Sequence, residues 1–305
     1  MKLVSVIVPA HNEARFIEKS IQSLINQTYN DVEIIVVADN CTDDTYGIAK
    51  VALKDYPFSK VIKGKHGCAA GTRNAGAVVS KGDILIFHDA DCFADESMIE
   101  NVVKRICDDG FDGVATKTDV VKPTTLLEEA IKAERAIGWD MTQKDSIEIK
   151  KGAPVLVANM TRLAFDKLNG FNENIFYFED QNLTDRFFDA GFRAVFDPTV
   201  IEYHNDPSTL SEQIDQSLQN GKGIRTMLKQ GRLDKLLIPL YPIVFLFGVG
   251  SLFVGNILLG AVLLIPMFLL YIILLSENDS PVGVVAFLPL FLMRNIFKLI
   301  GLIKG

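Results

Sequence analysis

The chain has 305 residues, of which 49% are hydrophobic and 23% charged, too apolar for disorder and long enough for one large domain or two ordinary ones. Lys and Arg number 31 against 38 Asp and Glu, and a formal charge of -7 counts against nucleic acid as a partner, because a phosphate-backbone binder needs a basic footprint. The charge is uneven: residues 236 to 305 carry only Glu277, Asp279, Arg294, Lys298 and Lys304, so the acidic excess sits in the first 235 residues.

In chain order, Val4 to Val8 is an apolar run too short for a signal peptide and is expected to form a first buried strand. Phe16, Ile17, Ile21, Leu24 and Ile25 then recur at helical spacing, with Asn12 as the expected N-cap. Further strands are expected at Val32 to Val37, Ile84 to Phe87 and Val155 to Val157. Helices are expected at Asp95 to Cys107 and at Asp180 to Ala190, the second stopped by Gly191. Strand-length apolar runs alternating with helical patterns predict an α/β domain with a parallel sheet over residues 1–210. Cys41, Cys68, Cys92 and Cys107 form no C-x-x-C pair or zinc-type spacing, so reduced thiols are expected.

Residues 236 to 275 contain no charged residue or histidine. Forty residues of helix would extend about 60 Å, twice the roughly 30 Å hydrocarbon core, which predicts two spanning helices, 236–255 and 257–275, turning near Gly255-Asn256. A third apolar stretch, 282–304, contains Pro289, Arg294, Asn295 and Lys298 and suits either a third span or, preferably, a helix at the membrane interface. The connector 211–235 carries Lys222, Arg225, Lys229, Arg232 and Lys235, a basic flank that predicts a multi-pass membrane protein with its first domain facing the cytoplasm. The domains expected are thus 1–210, 211–235 and 236–305.

His88-Asp89-Ala90-Asp91 follows directly on the strand Ile84 to Phe87. That places two carboxylates at the carboxyl end of a strand, where open α/β sheets bind ligands, and such a D-x-D can hold a divalent cation against a diphosphate. Alone the motif is weak, since paired loop aspartates are also common turn and cap residues.

Taken in order, Val4 to Glu13, Ile35 to Thr45 with Asp39, Gly71-Thr72-Arg73-Asn74-Ala75-Gly76, Asp89-Ala90-Asp91, Gly170-Phe171-Asn172-Glu173 and Phe178-Glu179-Asp180 resemble the family 2 glycosyltransferases of GT-A fold, over about residues 3 to 205. The resemblance implies a nucleotide-diphospho-sugar transferase with a Rossmann-like mixed sheet, here joined to C-terminal transmembrane helices, and transfer of sugar from a nucleotide-sugar donor with inversion. It implies that Asp39 reads the base and that Pro9, Ala10, His11 and Glu13 line the nucleoside pocket. Arg73 is implied near the diphosphate, Asp89 at the ribose, Asp91 and His204 on Mn2+ or Mg2+, and Asp180 as general base. Its place at a helix start leads us to expect the ionised form of Asp180 to be favoured. The chain departs from the family pattern at three places: Ala38 replaces the first acid of an Asp-Asp pair, Gly71-Thr72 replaces a commoner Ala, and Asn182 replaces a frequent Asp. The Gln-x-x-Arg-Trp motif of processive synthases is missing, and Trp139 is the only tryptophan.

The membrane segments then imply a lipid or lipid-linked acceptor, with UDP-sugar the favoured donor. If the acceptor is a polyprenyl phosphate its attacking oxygen is already ionised, and a general base has little to do. A nucleotidyltransferase would need a Gly-rich basic first loop in place of Pro9-Ala10-His11-Asn12-Glu13. A catalytically inactive membrane scaffold is the reading from a different class. The sequence sets no oligomeric state.

Overall fold

The computed structural model describes residues 2–135, 143–205, 209–229 and 281–304, together with Phe247 and Ser251. Four parallel strands come first: β1 (Val4–Ala10), β2 (Val32–Asp39), β3 (Lys60–Gly64) and β4 (Ile84–Phe87). β2 is buried along its whole length, as expected of a parallel strand covered on both faces. Side-chain alternation divides the core: Val4, Val6 and Val8 of β1 pack on one face of the sheet and Ile7 on the other.

The first face is covered by α1 (Ile17–Ile25), α2 (Thr45–Ala52) and α4 (Met98–Cys107), which contribute Ile17, Ile21 and Leu24, Ala49, and Met98, Ile99, Val102 and Ile106. The second is covered by α3 (Ala69–Val79), α6 (Arg162–Lys167) and α7 (Glu179–Asp189), through Ala70, Ala77, Phe165, Leu183 and Phe187. The remaining strands are β5 (Cys92–Ala94), β6 (Gly113–Val120), β7 (Ile147–Ile149), β8 (Asn159–Thr161) and β9 (Ala194–His204). The described strands form one mixed sheet in the order β3-β2-β1-β4-β8-β6-β9-β5, with β7 also on β9.

Two features of this topology place the site. Strand addition reverses direction between β1 and β4, which makes their carboxyl ends a switch point where α/β sheets bind ligands. β8 runs antiparallel to both β4 and β6, and β6 runs parallel to β9, so β9 points the same way as β1 to β4 and ends at the same edge. The expected strand at Val155 to Val157 is no strand: Val155 and Val157 are buried in the core outside any ladder, and the strand proper begins at Asn159. Asn12 is not an N-cap, for α1 begins only at Ile17. Gly191, at φ +83, does end α7 in the left-handed conformation that glycine adopts without steric cost.

Two compact units divide the chain: Met1–Val121 with Trp139–Asn205, and Lys122–Gly138 with Asp206–Gly305. In the second unit α5 (Leu126–Arg135), α8 (Leu210–Lys229) and α9 (Pro281–Lys304) pack together. Gly221 of α8 lies against the Lys298 carbonyl and Gly301 of α9 against that of Leu218, so these helices cross backbone to backbone where any side chain would collide. Among the described residues no helix is long and apolar enough to cross a membrane. Apart from Phe247 and Ser251, the expected spans 236–255 and 257–275 lie outside the described residues.

Candidate active site

The loops after β1 and β2 are tied to each other. His11 Nδ1 donates to the Asp39 carbonyl at 2.7 Å, and Asn12, held at φ +58, accepts from the Thr42 backbone N–H at 2.7 Å. The Glu13 N–H donates to Thr45 Oγ1 at 2.7 Å. Asn12 therefore spends its side chain on the neighbouring loop and not on a helix. Asp39 is buried, and its two carboxylate oxygens accept from the His66 and Gly67 N–H groups at 2.6 and 2.8 Å. It pins the loop that follows β3, and the remaining lone pairs are what it has left for a base. Pro9 is half-buried and Ala10 buried at the end of β1.

The two carboxylates after β4 divide. Asp89 accepts from Arg73 Nη2 at 2.7 Å, while Arg73 Nη1 donates to Glu179 Oε1 at 2.6 Å. Burial alone would raise the Asp89 pKa, but the guanidinium holds it below the usual carboxylate range. Asp91 turns instead toward β9, with His204 Nε2 3.5 Å from its Oδ2. The pairing explains how residues so far apart in sequence meet: β5 runs antiparallel to β9 with Cys92 opposite His204, and the Asn205 N–H donates to the Asp91 carbonyl at 3.1 Å.

Ligand atoms of Asp91, Cys92 and His204 lie within 4.8 Å of one another. Burial, with Asp89 adding, raises the Asp91 pKa against the pull of His204. Glu13 is pushed up to about 7 by burial and by Asp91, Asp43 and Asp89. Carboxylates that raise one another in this way favour a cation between them, and their oxygens are the donors that suit Mn2+ or Mg2+.

Asp180 stands in the first turn of α7, after Phe178 in the left-handed region at φ +60. The helix start does not win. Burial and neighbouring Glu179 push the Asp180 pKa up to about 6, against a lowering by Arg73. The result is a carboxylate that titrates near neutrality, the range in which a general base is most effective.

The family model for glycosyl transferase family 2 matches residues 5–167, more than half of the chain. The chain belongs to this family. It is similar to the probable glycosyltransferase YdaM of Bacillus subtilis, 27% identical over 284 residues, which span 87% of this chain and 66% of that protein, so it covers about two thirds of the relative's length. A shorter match, 37% identical over 106 residues (34% of this chain and 41% of the relative), is to WfaP of Escherichia coli, a UDP-Glc:alpha-D-GlcNAc-diphosphoundecaprenol beta-1,3-glucosyltransferase. In fold it is similar to the mannosyltransferase PcManGT of Pyrobaculum calidifontis, solved with GDP-Man and Mn2+, with a TM-score of 0.64 and 18% identity over 98% of this chain and 87% of that one. The α/β sheet with the topology above is thus the fold that the family 2 motifs lead one to expect.

Against that family pattern, the structure brings together Glu13, Asp89, Asp91 and His204 at one edge and joins them through Arg73 to the helix bearing Asp180. Asp39 with His11 sits beside them at the end of β2. Arg73 is already engaged within the protein: two of its nitrogens serve Asp89 and Glu179, and its ring neighbour is Phe171 at 5.5 Å. Its pKa rises despite burial, driven by those two carboxylates.

Several supporting residues escape sequence reasoning. Asn74 holds the loop before α7 from both sides, accepting from the Phe171 N–H at 2.9 Å and donating to its carbonyl at 3.0 Å. Arg186 donates to the Leu168 and Gly170 carbonyls at 2.7 and 2.8 Å, while its Nε reaches Asn182 Oδ1 at 2.9 Å, which gives Asn182 its use. Gly170 is required there: it sits at φ +68, and a Cβ would stand 2.6 Å from Asn74 Oδ1. Gly170-Phe171 and Arg73-Asn74 are each visible as motifs, yet nothing local says that they grip each other.

Proposed function

We propose that this chain is a membrane-bound inverting glycosyltransferase that moves a sugar from a nucleotide-diphospho-sugar, UDP-sugar favoured, to a lipid or lipid-linked acceptor with the help of Mn2+ or Mg2+. The observation that carries this reading is the meeting at one sheet edge of Asp91 and His204 with Asp89, joined through Arg73 and Glu179 to Asp180, a base titrating near 6. Asp91 and His204 would hold the metal, which when bound neutralises a diphosphate and makes it a better leaving group. Asp39, His11, Pro9 and Ala10 would form the nucleoside pocket, with Asp89 toward the ribose.

Arg73 acts through its partners: by fixing Asp89 and Glu179 it sets the distance between donor edge and base. Asp180 takes the proton from the attacking hydroxyl on the face opposite the leaving group, which gives inversion. A carboxylate raised to about 6 favours a hydroxyl acceptor over a polyprenyl phosphate, whose oxygen needs no base. The activity named for WfaP, on a sugar carried by diphosphoundecaprenol, supports a lipid-linked hydroxyl. The uncharged stretch 236 to 275 and the basic residues Lys222 and Arg225 on α8 support a membrane site with the catalytic domain at the cytoplasmic face.

The test is transfer of labelled sugar from a panel of nucleotide-sugars to polyprenyl-diphosphate-linked sugars and to polyprenyl phosphate, with and without Mn2+. Metal-dependent product on the sugar-bearing lipid is expected. Transfer to neither lipid class, with only hydrolysis of the donor, would sink the reading.

A further inference from the structure

Behind the Asp89-Ala90-Asp91 loop lies an imidazole with no exposed surface, that of His88. Its Nε2 faces the Cys92 carbonyl oxygen at 3.0 Å, and its Nδ1 meets Glu202 Oε1. A carbonyl oxygen can only accept, so Nε2 carries a hydrogen and the ring closes the loop from residue 88 to residue 92. Glu202 is on β9 opposite Ala94, two residues before His204, and strand residues two apart share a face. One side chain therefore ties the end of β4, the start of β5 and the last turn of the ladder on β9, the three segments that bring Asp91, Cys92 and His204 within 4.8 Å.

A buried histidine held against a carboxylate is not an economical way to stabilise a fold, since apolar side chains of similar volume often do as well or better. What it supplies is direction and distance, and the donors Asp91, Cys92 and His204 in front of it need both. We propose that the His88 and Glu202 pair is a positioning device that sets the separation of Asp91 and His204 for a divalent cation; this rests on the metal reading above. Neither residue touches substrate. Each acts by holding a loop or strand that carries a ligand, as outer groups around metal sites commonly do.

The test uses the full-length protein and Mn2+ alone, followed by the electron paramagnetic resonance signal of the free ion, beside UDP binding without metal and thermal melting. Glu202→Gln is expected to weaken Mn2+ about ten- to a hundredfold while metal-free UDP affinity stays unchanged, and Glu202→Asp, which keeps the charge, to recover part of the loss. Should Glu202→Gln fail to fold, His88→Gln carries the same expectation. Asp91→Ala separates the two ideas. If Asp91→Ala binds Mn2+ as the native protein does, the metal reading is at fault. If Asp91→Ala loses the ion but Glu202→Gln holds it at native affinity, or loses UDP and Mn2+ together, the positioning role is overturned.

Discussion

Replacing Asp180 by Asn probes the division of labour at the site most directly, because it keeps the shape of the side chain and removes its charge. With a pKa of about 6, Asp180 is about nine-tenths ionised at pH 7 and about one-tenth at pH 5. Turnover should accordingly fall on an acid limb centred near 6. The same figure has a thermodynamic side. The folded state binds this proton more tightly than the unfolded chain, so the associated stability is fully present below about 4 and is lost as pH rises through about 6. The gap from the ordinary value of 3.8 corresponds to about 3 kcal/mol held against the ionised carboxylate at neutral pH, an upper figure. Asp180→Asn should therefore melt higher at pH 7.5, by on the order of 5 °C, while kcat falls by roughly 10² to 10⁴ with donor affinity kept. The assays are a pH profile of kcat on the lipid-linked acceptor and melting curves at pH 4.5 and 7.5, the stabilisation appearing only at the higher pH. Loss of donor binding together with turnover would make Asp180 structural and refute the argument. A small kcat loss on a phosphate acceptor would move the acceptor assignment instead.

Asp91→Ala should abolish Mn2+-dependent nucleotide binding in titration calorimetry, whereas Asp89→Ala should weaken nucleoside binding with the metal partly retained, since Asp91 lies against His204 while Asp89 is held by Arg73. Arg73→Met strands two carboxylates and should cost about 3 to 5 kcal/mol in urea unfolding, with most of the loss recovered when Glu179→Gln is combined with it. Gly170→Ala forces a β-carbon into a left-handed position against Asn74 and should cost about 1 to 3 kcal/mol; equal midpoints for the two proteins would show that the loop yields.

The sheet strands were legible because they are buried on both faces: Val4 to Val8, Val32 to Val37 and Ile84 to Phe87 can be little else, and period and length fix them. Val155 to Val157 has the same local character and is no strand, since ladder formation depends on a neighbour that sequence does not supply. The motif at Asp89 and Asp91 was legible as well, and the resemblance implied separate roles for the two aspartates, although not that Arg73 pairs with Asp89. That split depends on Arg73, 16 residues upstream of Asp89, and on His204 at the end of β9.

What the sequence alone determined is the order of motifs and the burial pattern, both local properties of a chain whose apolar period is written residue by residue. What only tertiary structure decided is how the groups meet: that the pairing of β5 with β9 is what lays His204 beside Asp91, that Arg73 is already engaged by Glu179, and that burial outweighs the helix start at Asp180. The physical reason is that register and desolvation are set by the surrounding fold, and both act over distances in space that have no counterpart along the chain.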